Sequence, residues 1–135
     1  MIKTQIDAPR TGFKASPEEM EKIIKWAQYF NKKISVISKD LQLIMKKARI
    51  PEDTIKWGFN IDFTGSPYLK NHELALVVTV IYKNQPVDFT LYGTREPDGS
   101  LYLTRDTVAV EGGIKAFLFE IIAEELSTRK RGPKS

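Results

Sequence analysis

The side chains that most often perform catalysis are scarce in this sequence of 135 residues. It contains no cysteine, which excludes thiol nucleophiles, disulfide frameworks and cysteine-based zinc sites. His72 is the single histidine, and its polar neighbours are typical of a surface loop. No serine or threonine lies in a nucleophile-elbow pattern, and Gly112-Gly113 lacks the lysine of a phosphate-binding loop. The sequence therefore predicts a protein that is not an enzyme and that holds no metal ion or cofactor.

Aromatic and basic side chains offer a binding chemistry instead. An open antiparallel sheet that carries aromatic rings and a few cations can bind single strands, because every base has a face that stacks. Tyr92 and Tyr102 are expected on one such face, with Lys56 and Asn60 beside them and Arg95 at the rim. Trp57 and Phe59 are either core residues or the lining of a cleft. The candidate nucleic-acid-binding residues are Lys56, Trp57, Phe59, Asn60, Tyr92, Arg95, Tyr102, Arg105, Arg129, Lys130 and Arg131.

The distribution of charge restricts where a polyanion could bind. The net charge is +4, but the basic and acidic side chains of residues 1–128 balance, so the excess lies in the tail, residues 128–135. This tail could neutralise phosphates in a salt-sensitive way, or act only as a solubilising end. A second basic patch, with Asp40 as its one acid, comprises Lys32, Lys33, Lys39, Lys46, Lys47 and Arg49.

The elements that must position these residues begin with helices. Ser16-Pro17 and Glu19 form a capping box with proline at the first helical position, which predicts a helix from there to about residue 32. A second helix is predicted from near residue 35 or 38 to Pro51, which ends it. A last helix is predicted from Gly113 to about residue 127.

Four strands are predicted between the second and the last helix. Apolar and polar residues alternate strictly from Ile55 to Phe63, which is typical of a strand with one buried face. The other three strands are predicted at residues 74–82, 87–92 and 101–110. The turn Glu96–Ser100 suits a glycine bulge that pairs its two end residues, which places Tyr92 opposite Thr104 and leaves the side on which Arg105 lies open.

Together these elements predict an α+β two-layer sandwich in which a four-stranded antiparallel meander carries helices on one face, in the order α-α-β-β-β-β-α. Residues 1–15 are predicted to be a flexible arm, residues 16–127 one domain, and residues 128–135 a disordered basic tail. No apolar run approaches the roughly 20 residues of a membrane span. A cytoplasmic protein without a membrane partner is therefore expected.

This layout resembles the archaeal ThermoDBP family of single-stranded DNA-binding proteins. The resemblance covers residues 16–127 as an order of elements. It implies that bases enter an apolar, aromatic cleft bordered by basic residues. In this sequence those roles would fall to Trp57-Gly58-Phe59, Phe63, Phe89, Tyr92, Tyr102, Lys56, Arg95 and Arg105.

The predicted function is non-enzymatic binding of single-stranded nucleic acid, with DNA favoured over RNA. The alternative is a protein-interaction module, or a homodimer, that uses the second face of the sheet. This alternative rests on the segment from Leu74 to Tyr82, which is apolar on both of its faces.

Overall fold

The first helix begins where the sequence predicts. The computed structural model describes residues 2–9, 13–64, 72–104 and 106–131, and the side chains of these ranges up to residue 128. Helix α1 spans Pro17–Lys47. The Ser16 hydroxyl accepts a hydrogen bond from the Glu19 amide at 3.1 Å, and the Glu19 carboxylate accepts one from the Ser16 amide at 3.4 Å. The predicted capping box is therefore confirmed.

Helix α1 is a single helix of 31 residues, so the prediction of two helices is wrong. Its buried residues Phe30, Ile34 and Leu41 keep one helical phase across the predicted break. The polar residues that suggested a break, Asn31 and Ser35, are buried and hydrogen-bond each other at 3.0 Å. Buried polar groups need hydrogen-bond partners, and the N-terminal segment supplies them here. The local sequence does not reveal these partners.

That N-terminal segment contains strand β1, Thr4–Ile6, where the sequence predicts an arm without a strand. The Asn31 side-chain amide donates to the Ile2 carbonyl at 2.8 Å and to the Thr4 hydroxyl at 3.1 Å. The Ile2 amide donates in turn to the Ser35 hydroxyl at 3.4 Å. Helix α1 therefore holds the segment in place beside the sheet.

The predicted meander is present as four further strands. They are β2, Ile55–Asp62; β3, Leu74–Tyr82; β4, Gln85–Arg95; and β5, Leu101–Leu103. The sheet order is β1-β2-β3-β4-β5, with β1 parallel to β2 and every other pair antiparallel. The α+β prediction is thus confirmed, but the sheet is mixed and has five strands.

Two turns set the register of the meander. Lys83 and Asn84 both have positive φ, 53° and 64°, as a two-residue type I′ hairpin requires. In the next turn the Glu96 amide donates to the Ser100 carbonyl at 2.8 Å. The predicted pairing of that turn is confirmed, and it carries through to the Thr104 amide, which donates to the Tyr92 carbonyl at 2.9 Å.

The last helix begins earlier than predicted. Strand β5 ends at Leu103 rather than near residue 110, and helix α2 spans Thr107–Arg131. The Asp106 carboxylate accepts a hydrogen bond from the Val108 amide at 2.9 Å, at the start of the helix. Val110 and Ile114 are buried one helical turn apart, so a segment that alternates like a strand packs in helical phase. Within the described ranges, neither α1 nor α2 combines the length and apolarity of a membrane-spanning helix.

Both helices pack on one face of the sheet. Phe30 of α1 lies 5.9 Å from Phe59 of β2, and Phe117 of α2 lies 5.9 Å from Phe89 of β4, between ring centroids. Leu76 and Leu91, a cross-strand pair on the same face, are fully buried. The other face of the sheet carries no helix among the described residues.

Candidate nucleic-acid interface

The sheet face opposite the helices is called the open face here. Its side chains come from alternate positions of four strands. A depression of about 560 Å³ occupies its centre, over the small residues Ala75, Val77 and Thr79. The open face comprises Lys56, Gly58, Asn60 and Asp62 of β2; Ala75, Val77, Thr79 and Ile81 of β3; Asp88, Thr90, Tyr92 and Thr94 of β4; and Tyr102 of β5.

Tyr92 and Tyr102 lie on the open face, as the predicted register requires. Tyr102 is 39% exposed. Tyr92 is half-buried, because the His72 ring stacks on it with centroids 4.4 Å apart and 21° between the planes. His72 Nδ1 is held 2.7 Å from the Thr94 hydroxyl. One face of the Tyr92 ring is therefore already covered, so at most the other face could stack on a ligand.

The open face is acidic. Asp62 and Asp88 project from its two sides, and Asp7 lies against it through a 2.9 Å hydrogen bond from the Asn60 side-chain amide. Asp88 also accepts a hydrogen bond from the Thr79 hydroxyl at 2.7 Å. Among the residues that define the open face, Lys56 is the single cation. A phosphate placed there would meet more negative than positive charge.

Arg95 faces the helices rather than the rim of the open face. Its guanidinium donates to the Glu19 carboxylate at 2.7 Å and lies 3.7 Å from that of Glu73. The hydrogen bond from Arg95 lowers the pKa of Glu19. The guanidinium also donates to the Gly99 carbonyl at 2.8 Å. Arg95 thus joins the start of α1 to the β4–β5 hairpin, and its charge is already compensated.

The other predicted site residues are dispersed. Phe59 is 2% exposed and Trp57 packs against the same core, so both belong to the helix-covered face. Lys56 is exposed, while the Asn60 side chain is engaged by Asp7. Arg105 and the side chains of Arg129, Lys130 and Arg131 lie outside the described residues. The backbone of α2 is helical through Arg131, inside the tail predicted as disordered.

A second surface emerges from the continuity of α1. Its solvent side is called the lysine ridge here. Residues seven apart on a helix lie nearly one above the other, and two such rows run side by side along α1. One row holds Lys25, Lys32, Lys39 and Lys46, and the other holds Tyr29, Val36 and Leu43.

The ridge is both exposed and basic. Tyr29, Val36 and Leu43 are 54%, 52% and 61% exposed. The row from Lys25 to Lys46 extends for about 30 Å, since a helix rises about 1.5 Å per residue. The Lys33 ammonium lies 5.3 Å from the centre of the Tyr29 ring, in a cation–π contact.

The sequence pattern shows the basic patch, but the predicted break in the helix hid the alignment of its lysines. Dividing the helix near residue 32 assigned Lys25 and Lys39 to different elements, so their shared row was invisible. The seven-residue spacing of the lysines was the signal that could have revealed it.

Comparison of the chain with protein-family models, curated proteins and solved structures yields no match. The resemblance to ThermoDBP proteins accordingly stays a prediction. In the described part of the chain, no three histidine or carboxylate side chains converge as a metal site would require.

Proposed function

We propose that this protein is a non-enzymatic, single-stranded nucleic-acid-binding protein whose contact surface is the lysine ridge of α1. The observation that carries the proposal is the row of four lysines at seven-residue intervals on one exposed side of a single helix. Such a row presents positive charge along a line, as a phosphate backbone presents negative charge. Each phosphate neutralised releases condensed counterions, which favours binding at low salt.

The apolar row of the ridge favours single strands over duplexes. The exposed Tyr29 ring can stack on an unpaired base, whereas the faces of bases inside a duplex are covered by their neighbours. Each stacked base contributes about 1–3 kcal/mol. A base that stacks on the face of the Tyr29 ring contacted by Lys33 would displace that ammonium, which frees the cation to contact a phosphate. Val36 and Leu43 extend the apolar contact along the helix.

The acidic open face is a less favourable site for nucleic acid than the lysine ridge. Two unit charges 4 Å apart near a protein surface interact by about 4 kcal/mol. Asp62 and Asp88 would therefore oppose the phosphates of any strand that stacked on Tyr92. Acids near the ridge include Asp40, Glu21 and Glu52; Glu21 is paired with Lys25 at 3.3 Å, and Glu52 borders a depression lined by Lys39 and Lys46.

A fluorescence titration with a labelled oligothymidylate tests the proposal. Binding at low salt that weakens steeply at moderate salt is expected, with a matched duplex binding more weakly. Titrations with DNA and RNA of the same base sequence test the predicted preference for DNA. The absence of binding at protein concentrations of tens of micromolar in low salt would refute the proposal.

The basic tail stays a separate prediction. Arg129, Lys130 and Arg131 could add phosphate contacts beyond the ridge. Removal of residues 128–135 should then reduce the salt dependence of binding, and an unchanged slope would exclude the tail from the interface.

Self-association through the open face is the second candidate function. Val77 and Ile81 are partly exposed on that face, close to the small residues Gly58 and Ala75. Two copies placed face to face would bring their aspartates together, so salt should strengthen the association by screening that repulsion. Light scattering over a range of protein concentrations at low and high salt measures this effect. A monomer under every condition would exclude the dimer.

A further inference from the structure

Within the described part of the chain, one stretch of β4 lacks a neighbouring strand on its outer side. Strand β5 pairs only with Gly93, Thr94 and Arg95, so residues 86–91 face no strand there. Backbone groups of a strand point alternately to its two sides. The Gly93 carbonyl points towards β3, where it accepts from the Glu73 amide, and the Tyr92 carbonyl points outward, where it accepts from the Thr104 amide.

The same alternation directs the amide and carbonyl groups of Asp88 and Thr90 outward. Pro86, the next residue in this series, has no amide hydrogen to offer. Two donors and, counting the Pro86 carbonyl, three acceptors therefore stand in register at the edge. An edge of this kind is a template for another extended chain.

A groove of about 490 Å³ runs along this edge. One wall is formed by β4 through Asp88, Phe89, Thr90 and Tyr92, with His72 and Thr104 at one end. The other wall is the first turns of α2, through Ala109, Val110 and Gly113. The helix lies close to this wall, since a methyl group at Gly113 would be in van der Waals contact with the Phe89 ring at 3.8 Å.

We propose that this groove binds an extended, basic segment of a partner protein as an added strand beside β4. Main-chain hydrogen bonds to Asp88 and Thr90 supply affinity that does not depend on sequence, as in other sites of strand addition. Alternate side chains of the added strand supply specificity. Those on the open-face side meet the Asp88 carboxylate, and those on the helix side meet Phe89, Ala109 and Val110.

The partner strand therefore alternates basic residues with small apolar ones. A second copy of β4 fits less well, because pairing two copies about a twofold axis brings their Asp88 carboxylates together. Like charges across a strand pair are destabilising. The site also stands apart from the nucleic-acid proposal, since its residues belong to β4 and the start of α2 rather than to the lysine ridge.

Amide hydrogen exchange measured by NMR tests the proposal on the full chain. The probe is a synthetic peptide of alternating valine and lysine residues. At a peptide concentration about ten times its Kd, the Asp88 and Thr90 amides should exchange about tenfold more slowly. The Phe89 and Leu91 amides point towards β3 and serve as internal controls that should change little.

Two altered peptides separate strand addition from unspecific charge attraction. The same peptide methylated on its main-chain nitrogens keeps its charge but cannot form the ladder, so it should give no protection. A valine–glutamate peptide should bind at least tenfold more weakly than the lysine peptide. Unchanged exchange at Asp88 and Thr90, or equal protection by the methylated peptide, would overturn the proposal.

Two variants localise the site. Thr90→Pro removes one outward amide without removing a bond to β3, and should abolish the protection. Asp88→Lys keeps every backbone group and should reverse the preference towards the glutamate peptide. If Thr90→Pro does not fold, Asp88→Lys still decides the matter, because an unreversed preference contradicts the assigned site.

Discussion

Replacing lysines of the ridge should weaken nucleic-acid binding by an amount that follows from their number. The variant Lys32→Gln, Lys39→Gln, Lys46→Gln removes three of the four charges in the row. It spares Lys25, which is already paired with Glu21. Glutamine and lysine have similar helix propensities, so α1 should keep its length and stability.

The magnitude comes from counterion release. For single strands the slope of log K against log salt is about −0.7 per phosphate neutralised, so the loss of three contacts should reduce its magnitude by about 2. Relative to 1 M salt, each contact strengthens binding about fivefold at ~0.1 M. The triple variant should therefore bind roughly 100-fold more weakly at ~0.1 M salt.

A matched control separates this local effect from net charge. Lys14→Gln, Lys56→Gln, Lys83→Gln makes the same change in charge at exposed sites that are not on α1. Its affinity should change less than about threefold at ~0.1 M salt, where charges more than about 10 Å apart are screened. Both variants are titrated with oligothymidylate at several salt concentrations, after circular dichroism has verified their fold. Equal losses in the two variants would refute the assignment of the ridge.

Two further predictions concern stability and are measured by urea unfolding. Gly93→Ala should lower the free energy of unfolding by about 1–3 kcal/mol, because its new Cβ would lie 2.8 Å from Cγ of the buried Leu74. Gly58→Ala, whose Cβ would lie 3.8 Å from the nearest side-chain atom, should change it little or raise it by a few tenths, and equal losses in the two would contradict this geometry. Burial and a 2.7 Å hydrogen bond to Glu125 raise the pKa of Tyr82 from 10.0 to about 12. Because the folded-state pKa is the higher one, the stabilisation is complete below about pH 10 and is lost as the pH rises towards 12. Tyr82→Phe should lack this component, so an identical pH profile in variant and parent would refute it.

Local patterns were sufficient wherever one short segment decided the outcome. Examples are the alternation in β2, the capping box at Ser16 and the turn at Glu96. Each of them is defined by residues that lie close together in the sequence. The placement of Tyr92 and Tyr102 on one face followed from that turn by counting residues. These features depend on backbone sterics and on hydrogen bonds between near neighbours, which the sequence displays directly.

Contacts between distant residues decided the features that were mispredicted. Asn31 and Ser35 look like a helix break until the N-terminal segment supplies partners for their buried polar groups. Arg95 looks like a free cation until Glu19, 76 residues away, accepts its hydrogen bond. Val108 and Val110 alternate like a strand, but in the folded chain they belong to helix α2. There Val110 is buried one turn before Ile114.

The sequence by itself determined the α+β class, the meander and the two faces of its sheet, because periodicity and turn geometry are local properties. Only the tertiary structure decided that α1 is one helix, and therefore that its lysines form a single row. It also decided that β5 stops at Leu103, so that part of β4 has no neighbouring strand among the described residues. Both outcomes depend on burial, and the burial of a residue is set by the whole chain around it.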